Sequence, residues 1–363
     1  MVVTKIKIGV LGATGAVGQI YIKLLANHPW FEIVDVAASP QSAGKTYYNA
    51  VKDKWLQDIF VPENVRNLVV RDVQDYTKLP KDLGFVFSAV EMPKKEDIKA
   101  VEDRYAEMGI PVVSNNSVHR WTPDVPMLIA EINPDHTKII PIQQKKHDWK
   151  GFIVVKPNCS LQSYLTAIFA LEKAGFKVDK LIITTLQAVS GAGYPGVPSL
   201  DMIDNIVPYI GGEEEKTEKE PLKILGKIQG DGIVNDESIK ISATCTRVPV
   251  VDGHTASINV KFKDKVPSKE EILQIWKEFK GIPQELNLPL APKQPIIYLD
   301  DDNRPQPRKD RMNDKGMAIT VGRLRKDPVF DWKFIALSHN TIRGAAGGGI
   351  LNAELLKAQG YIK

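Results

Sequence analysis

Hydrophobic and polar positions along the chain change their period near residue 150, the first sign of two parts. Lys5–Leu11 (KIKIGVL) is a short β-branched run that leads into glycine, the pattern of a buried parallel strand. Ala16–Asn27 then repeats at helical spacing, with Val17, Ile20, Tyr21, Leu24 and Leu25 on one face. Further strands are predicted at Glu32–Ala38, Leu83–Val90 and Pro111–Asn115, and a polar helix at Lys94–Gly109. Strands alternating with helices imply βαβ units and a parallel sheet.

Past residue 150 the strands lengthen and alternate. Gly151–Lys156 reads as a strand and Ser160–Ala174 as one strongly apolar helix. Strands follow at Leu181–Ala188, Ser238–Val250, His254–Lys263, Gly316–Arg325 and Phe330–Leu337. The pair Ser238–Val250 and His254–Lys263 is predicted to form a hairpin turning at Asp252-Gly253. Ser190–Gly230, with its glycines, prolines and charges, reads as an insertion across the surface. Within it the acidic run Gly211–Glu220 reads as a solvated helix face or a mobile loop. Proline-rich residues 281–315 read as an extended loop, and a last helix at Ile342–Gly360 fits either part. The fold expected is α/β: a Rossmann-like dinucleotide-binding domain over 1–156, then an α+β domain with an antiparallel or mixed sheet over 157–340.

Composition narrows the class. At 363 residues the chain exceeds one ordinary core. Its 43% hydrophobic and 25% charged content is that of a soluble globular protein. A net charge of +4 with no basic arm argues against a nucleic-acid partner. No apolar run approaches the ~20 residues of a membrane span. The start, MVVTKIKIGVLGATG, enters a strand without a secretory-signal pattern, and there are two cysteines, Cys159 and Cys245. The expectation is a cytoplasmic protein with reduced thiols and no membrane partner.

Three places carry chemistry. Gly12-Ala-Thr14-Gly15-Ala16-Val17-Gly18 follows a strand and opens a helix, the context in which a glycine loop cradles a dinucleotide pyrophosphate. At the end of the second strand, NAD-selective folds place a carboxylate on the ribose hydroxyls. Here the chain offers Ser39, and Asp35 comes too early. Ser39, Ser42, the amides near Gly44 and the charge of Lys45 are the expected partners of a 2′-phosphate, hence NADP. The third place is Cys159. It sits at the junction of a strand and an apolar helix, where a helix N-terminus lowers a thiol from about 8.5 into the reactive range. Position alone leaves two readings open, nucleophile or small buried core residue. Cys245, mid-strand, reads as structural. In the predicted hairpin Arg247 and His254 share one sheet face, either as the wall of an active site or as exposed polar residues.

The strings GATGAVG, SAGKTY, KPNCS, LQAVSGAGYPGVPS, EPLK, RVPVVDGHT and NTIRGAAGGG occur in that order along nearly the whole chain. Together they resemble aspartate-semialdehyde dehydrogenase of the archaeal and fungal branch. The resemblance implies reductive dephosphorylation of β-aspartyl phosphate through a cysteine thioester, with NADPH, in the aspartate pathway of amino-acid biosynthesis. It implies Cys159 as nucleophile, His254 as general acid/base, Gln187 as the residue orienting the acyl group, and Asn158 beside the nucleophile. It implies Arg247 on the substrate carboxylate, Glu220 on its amino group, and Lys223 with Arg120 on phosphate. Cofactor contacts are implied at Gly12, Thr14, Gly15, Ala16, Val17, Gly18, Ser190, Gly191, Asn340 and Gly344, and the last helix, 341–363, completes the first domain. The second domain becomes the catalytic and dimerisation domain of a homodimer or homotetramer. An acyl phosphate has a good leaving group, so no metal is expected. The chain departs from the family at Gln41, where an arginine is common. On the same scaffold malonyl-CoA reductase is the alternative, N-acetyl-glutamyl-phosphate reductase a more distant one. A non-catalytic NADP-binding sensor would be expected to lack part of the cysteine, glutamine, histidine and arginine set.

Overall fold

The computed structural model describes residues 4–363. Met1–Val3, the opening of the N-terminal segment read above, lie outside them. Six strands build the first sheet: β1 (Ile6–Leu11), β2 (Phe31–Ala38), β3 (Arg71–Asp72), β4 (Phe85–Ser88), β5 (Val112–Ser114) and β6 (Ile153–Val155). All are parallel, in the order β3-β2-β1-β4-β5-β6. In this doubly wound order the winding reverses between β1 and β4, and a crevice opens there at the carboxyl ends of the strands. The glycine loop after β1 lies in it. These strands are apolar because both faces are covered: Val10, Phe85, Val86, Phe87 and Val112 are all buried. The C-terminal helix Gly347–Ala358 contributes Ile350, Ala353 and Leu356 to the cluster around Ile8, Val10 and Phe87. The last helix therefore packs on the first sheet.

The second sheet holds β7 (Val178–Gln187), and beyond a separate two-strand ribbon, β8 (Lys227–Gln229) with β9 (Gly232–Val234), it continues with β10 (Lys240–Arg247), β11 (His254–Phe262), β12 (Ile296–Leu299), β13 (Ile319–Lys326) and β14 (Trp332–Ser338). Its order is β10-β7-β11-β14-β13-β12. The expected hairpin is not formed. β7 lies between β10 and β11, parallel to the first and antiparallel to the second. The turn at Asp252-Gly253 is a local signal, and it cannot report that a strand from fifty residues upstream takes both ladders. Parallel neighbours need a long crossover. That crossover is residues 188–239: over 190–212 it runs along the surface as expected, with Met202 buried, and from residue 213 it packs into the domain. Its helix Glu213–Ile224 buries Glu213, Thr217, Glu220 and Lys223, which corrects the solvated reading of the acidic run.

Two other expectations change. The predicted helix Ser160–Ala174 splits into a 3-10 turn, Ser160–Ser163, and a helix, Leu165–Lys173. Side chains compete for the backbone there: Asn158 Oδ1 accepts from the Ser160 N–H, and Ser163 Oγ donates to the Ser160 carbonyl. The loop 281–315 contains short helices at Ile282–Glu285 and Pro307–Asp310, each with proline in its first turn, and the edge strand β12.

Helices Leu165–Lys173 and Lys269–Glu278 cover one face of the second sheet, joined where Trp276 Nε1 donates to the Ala167 carbonyl at 2.9 Å. The other face is open. Along β11 buried residues alternate with half-buried ones, and Ile182 on β7 is 44% exposed. One apolar cluster runs from Val86, Val112 and Val155 through Leu161, Leu165 and Ile168 to Val178, Ile258 and Phe334. Cys159 stands at that seam between the sheets.

A buried ion pair fixes the rim of the crevice. Arg71 donates to both oxygens of Asp35, at 3.0 and 2.6 Å, to Tyr105 Oη at 2.7 Å, and to the carbonyls of Asp72 and Asp75. It ties β2, β3 and helix Lys95–Glu107 together. Arg71→Met strands a buried carboxylate, and we expect a loss of about 3–5 kcal/mol in a urea titration. Adding Asp35→Asn should recover part of it. A single variant as stable as the parent would show that this pair does not hold the rim.

Candidate active site

The mixed sheet brings three side chains to one end. β7 ends at Gln187, β10 ends at Arg247 directly beside it in register, and β11 begins at His254. Cys159 arrives from the loop after β6, and its Sγ lies 3.2 Å from His254 Nε2. Arg247 and His254 do meet, as expected, but because β7 stands between their strands.

The Ala188 backbone, just past β7, holds both. Its N–H donates to His254 Nδ1 at 3.0 Å, and its carbonyl accepts from Arg247 Nη1 at 2.9 Å. A ring nitrogen that accepts from an amide carries no proton, so the proton of the neutral ring sits on Nε2, facing sulfur. Arg247 is 7% exposed and has no carboxylate partner among the described residues. A buried guanidinium of this kind is ready for an anionic ligand.

A carboxylate-rich wall supports the cysteine loop. Asn158 Nδ2 donates to both oxygens of Glu213 at 2.9 Å, and Gln187 Nε2 donates to Glu213 Oε2 at 3.2 Å. The Asn158 N–H donates to Glu220 Oε2 at 2.6 Å, and Arg120 Nη1 donates to Glu220 Oε1 at 2.8 Å. Glu213 was missed in the sequence, hidden in the run Glu213-Glu214-Glu215. The spacing Glu213, Thr217, Glu220 marks one helical face and was the signal available.

Two expected substrate ligands are placed otherwise. Glu220, fully buried, is committed to Arg120 and to the Asn158 amide. Lys223 Nζ donates to the carbonyls of Arg120, Thr122 and Val125 at 2.8, 2.7 and 3.0 Å. An ammonium has three protons, and these bonds use all of them. Lys223 therefore holds the Arg120 loop instead of presenting its charge to the site.

The electrostatics also correct the sequence. Burial, with Glu213 close by, pushes the Cys159 thiol up to about 11, while Lys156, Arg120 and Arg247 pull the other way. The expected lowering fails because burial outweighs the three cations; the cysteine precedes a four-residue 3-10 turn, not a long helix. Burial and the charge of Arg120 bring Lys156 down to about 7. Lys156 is a second residue the sequence did not single out. Burial, then Arg247, pushes the His254 imidazole down to about 3.

The cofactor side adjoins these groups. A cavity of about 460 Å³ is lined by Gly12, Thr14, Gly15, Ala16 and Ser39. At Gly12, φ is +77°, and a Cβ there would stand 2.2 Å from the Ala89 carbonyl oxygen; one on Gly18 would stand 2.1 Å from the Gly12 oxygen. Gly18 thus serves helix–strand packing, and Val17 faces a neighbouring cleft. The expected partners after Ser39 are not at the cavity. Ser42 is buried, the Gly44 N–H donates to the Val70 carbonyl, and Lys45, whose carbonyl accepts from Val70, is exposed. The backbone of Gly44 and Lys45 is spent on hydrogen bonds to Val70. On the catalytic side, Asn340 Nδ2 donates to Ser190 Oγ at 2.9 Å and Asn340 Oδ1 accepts from the Gly253 N–H at 2.8 Å. A Cβ on Gly191 would stand 2.9 Å from Arg247 Nη1, and one on Gly344 2.9 Å from the Cys159 Cβ. Ser190, Gly191, Asn340 and Gly344 therefore close around the cysteine and histidine. Among the described residues no cluster of His, Cys, Asp or Glu is placed to hold a metal ion.

Comparison with known proteins gives a consistent picture. The family profile described as semialdehyde dehydrogenase, NAD binding domain matches residues 7–140, and that described as semialdehyde dehydrogenase, dimerisation domain matches residues 168–343. The aspartate-semialdehyde dehydrogenase of Methanothermobacter thermautotrophicus is 44% identical over 97% of this chain and 99% of its own. That of Saccharomyces cerevisiae is 43% identical over 98% of each. The crystal structure of aspartate semialdehyde dehydrogenase with NADP from Candida albicans superposes with a TM-score of 0.88 at 40% identity, covering 98% of this chain and 99% of that one.

Two depressed histidines set an acid limit. Burial brings His339 down to about 4 and His254 to about 3, from a usual 6.5. Between those values the unfolded chain binds protons that the folded chain refuses. Stability from these groups is complete above pH 6.5 and drains as the pH falls toward 4 for His339 and 3 for His254, at up to about 1.4 kcal/mol per pH unit for each histidine. Melting temperature against pH should show this decline. In His254→Asn and His339→Asn together it should flatten, and an unchanged slope would place the acid-sensitive groups elsewhere.

Proposed function

The chain belongs to the aspartate-semialdehyde dehydrogenase family, and on that premise we propose that it reduces β-aspartyl phosphate to aspartate semialdehyde with NADPH, releasing phosphate, through a thioester on Cys159. The observation that carries the proposal is the Cys159 sulfur 3.2 Å from the His254 Nε2–H, beside an Arg247 with no carboxylate partner among the described residues. Malonyl-CoA reductase and a non-catalytic sensor are not favoured: the matched relatives are semialdehyde dehydrogenases, and the reacting set is complete.

The Cys159 sulfur attacks the acyl carbonyl as the thiolate, its proton leaving with the phosphate, which departs with the C–O bonding pair; after reduction the C–S bond breaks, freeing the aldehyde and returning the thiolate. The cavity fits a dinucleotide, since the glycines at positions 12 and 18 let the backbone close tightly under the pyrophosphate. When bound, the cofactor supplies the hydride that reduces the thioester. His254 donates its Nε2–H to the oxygen that gains charge on attack and on reduction. Arg247 clamps the substrate α-carboxylate, and Gln187 and Asn158, braced by Glu213, orient the acyl group. Glu213 takes the substrate amino group in place of Glu220, because its charge acts on both Cys159 and Arg247. Arg120 meets the phosphate, held in position by Glu220 and by the Lys223 grip on its loop.

We assign residues 1–156 with 341–363 to cofactor binding and 157–340 to catalysis and association. The open face of the second sheet, with Ile182 exposed, fits a homodimer contact within the segment matched as a dimerisation domain. Among the described residues no helix is long and apolar enough to cross a membrane, and we place the protein in the cytoplasm, where its thiols stay reduced.

Cys159→Ser should abolish turnover while the protein still binds NADP, and prolonged iodoacetamide treatment of the native protein should modify Cys159 well before the buried Cys245. Equal labelling would remove Cys159 as nucleophile. Arg247→Lys should lower kcat/KM for aspartate semialdehyde about 100-fold, since lysine lacks the planar fork. A wild-type value would place the carboxylate elsewhere. Aspartate semialdehyde with phosphate and NADP should turn over where malonyl-CoA with NADPH does not.

A further inference from the structure

The dinucleotide cavity contains a cation that the sequence did not suggest. Among the described residues lining it, Lys54 is the one lysine or arginine. It is half-buried and makes no ion pair with a carboxylate of the described chain. Ser39 and Pro40, at the end of β2, line the same cavity. Lys45, the cation expected there, is exposed and does not line the cavity.

The segment carrying Lys54 is built into the glycine loop. Gln19 is 1% exposed and uses its whole amide for this purpose. Its Nε2 donates to the Thr14 carbonyl at 3.1 Å and to the Lys54 carbonyl at 2.9 Å, and its Oε1 accepts from the Leu56 N–H at 2.8 Å. Tyr47 Oη donates to the Ala13 carbonyl at 2.9 Å, and the Trp55 ring stands edge-on to Tyr47. The backbone at Lys54 is thus fixed relative to the loop that cradles the cofactor.

We propose that Lys54 is the cofactor-selecting residue, its ammonium pairing with the 2′-phosphate of NADP beside the Ser39 hydroxyl. The pyrophosphate has the amides at the start of helix Ala16–Leu25. The phosphate at the β2 end has no other cation lining its cavity. The acid that could oppose it on β2, Asp35, is consumed by Arg71. Selectivity survives the glutamine at position 41 because the charge comes from a different segment. This inference rests on the NADP assignment above.

The test is equilibrium binding of NADP and of NAD to the whole protein, followed by quenching of tryptophan fluorescence, so that no turnover is needed. Wild type should bind NADP more tightly. Lys54→Met should weaken NADP by about 10- to 100-fold, the worth of a charge-assisted hydrogen bond, and NAD by less than about threefold. Lys54→Arg should restore the preference. If Lys54→Met weakens both cofactors equally, the ammonium serves the shared pyrophosphate and the inference is overturned. If it weakens neither, Lys54 has no part in binding. A wild type that prefers NAD would overturn the NADP assignment itself, and the wild-type ratio is read before any variant.

Discussion

The backbone of one residue organises the chemistry. Ala188, fully buried just beyond β7, donates its N–H to His254 and accepts from Arg247. It can do both only because β7 is the strand between β10 and β11, which carry those two residues. With β10 and β11 paired to each other, the amide and carbonyl that hold the ring and the guanidinium would lie on a strand outside them. The topology of the second sheet is therefore a condition for the site, and the long crossover from β7 to β10 is part of the same condition. That crossover contains the helix whose Glu213 and Glu220 brace the cysteine loop.

Several charges at the seam between the sheets are held by fixed partners, and Arg247 is left for a ligand. Arg120 has Glu220, Glu213 has Lys216 and two amides, and Lys223 has three carbonyls. Arg247 has one carbonyl and no carboxylate. A buried unpaired guanidinium is costly. The structure maintains it at the point where a substrate carboxylate would neutralise it, so part of the binding energy comes from relieving that cost.

The first sheet was legible because its signals are local. A glycine loop between a strand and a helix, and apolar runs of strand length, depend on neighbours in sequence, and β1, β2, β4, β5 and β6 appeared within a few residues of their expected places; the two-residue β3 was not anticipated. The second sheet was not legible in the same way. The turn at Asp252-Gly253 looks like a hairpin turn whichever strand lies beside it. Glu213 looks solvated because it stands among other glutamates, and only its burial against Asn158 and Gln187 distinguishes it. The same applies to Lys54 and Lys45: the sequence shows two lysines near the second strand, and the fold decides which one faces the cavity. The set Cys159, His254, Arg247 and Gln187 could be named early through its motifs, but the electrostatics of that set could not, because burial is a property of the assembled site.

Those electrostatics constrain how the nucleophile is charged. The Ala188 amide occupies Nδ1, so a protonated ring would set two donors against each other, and burial beside Arg247 disfavours the cation further. His254 is therefore a donor toward sulfur, and it is poorly suited to hold the thiol proton as an imidazolium. The thiol, pushed up to about 11 in the protein alone, has positive charge from Lys156, Arg120 and Arg247 working to lower it and Glu213 working to raise it. If Glu213 takes the substrate amino group, as proposed, that ammonium offsets the carboxylate's effect on the thiol, which is smaller than that of burial, while leaving the three cations in place. Binding and activation would then be coupled through Glu213.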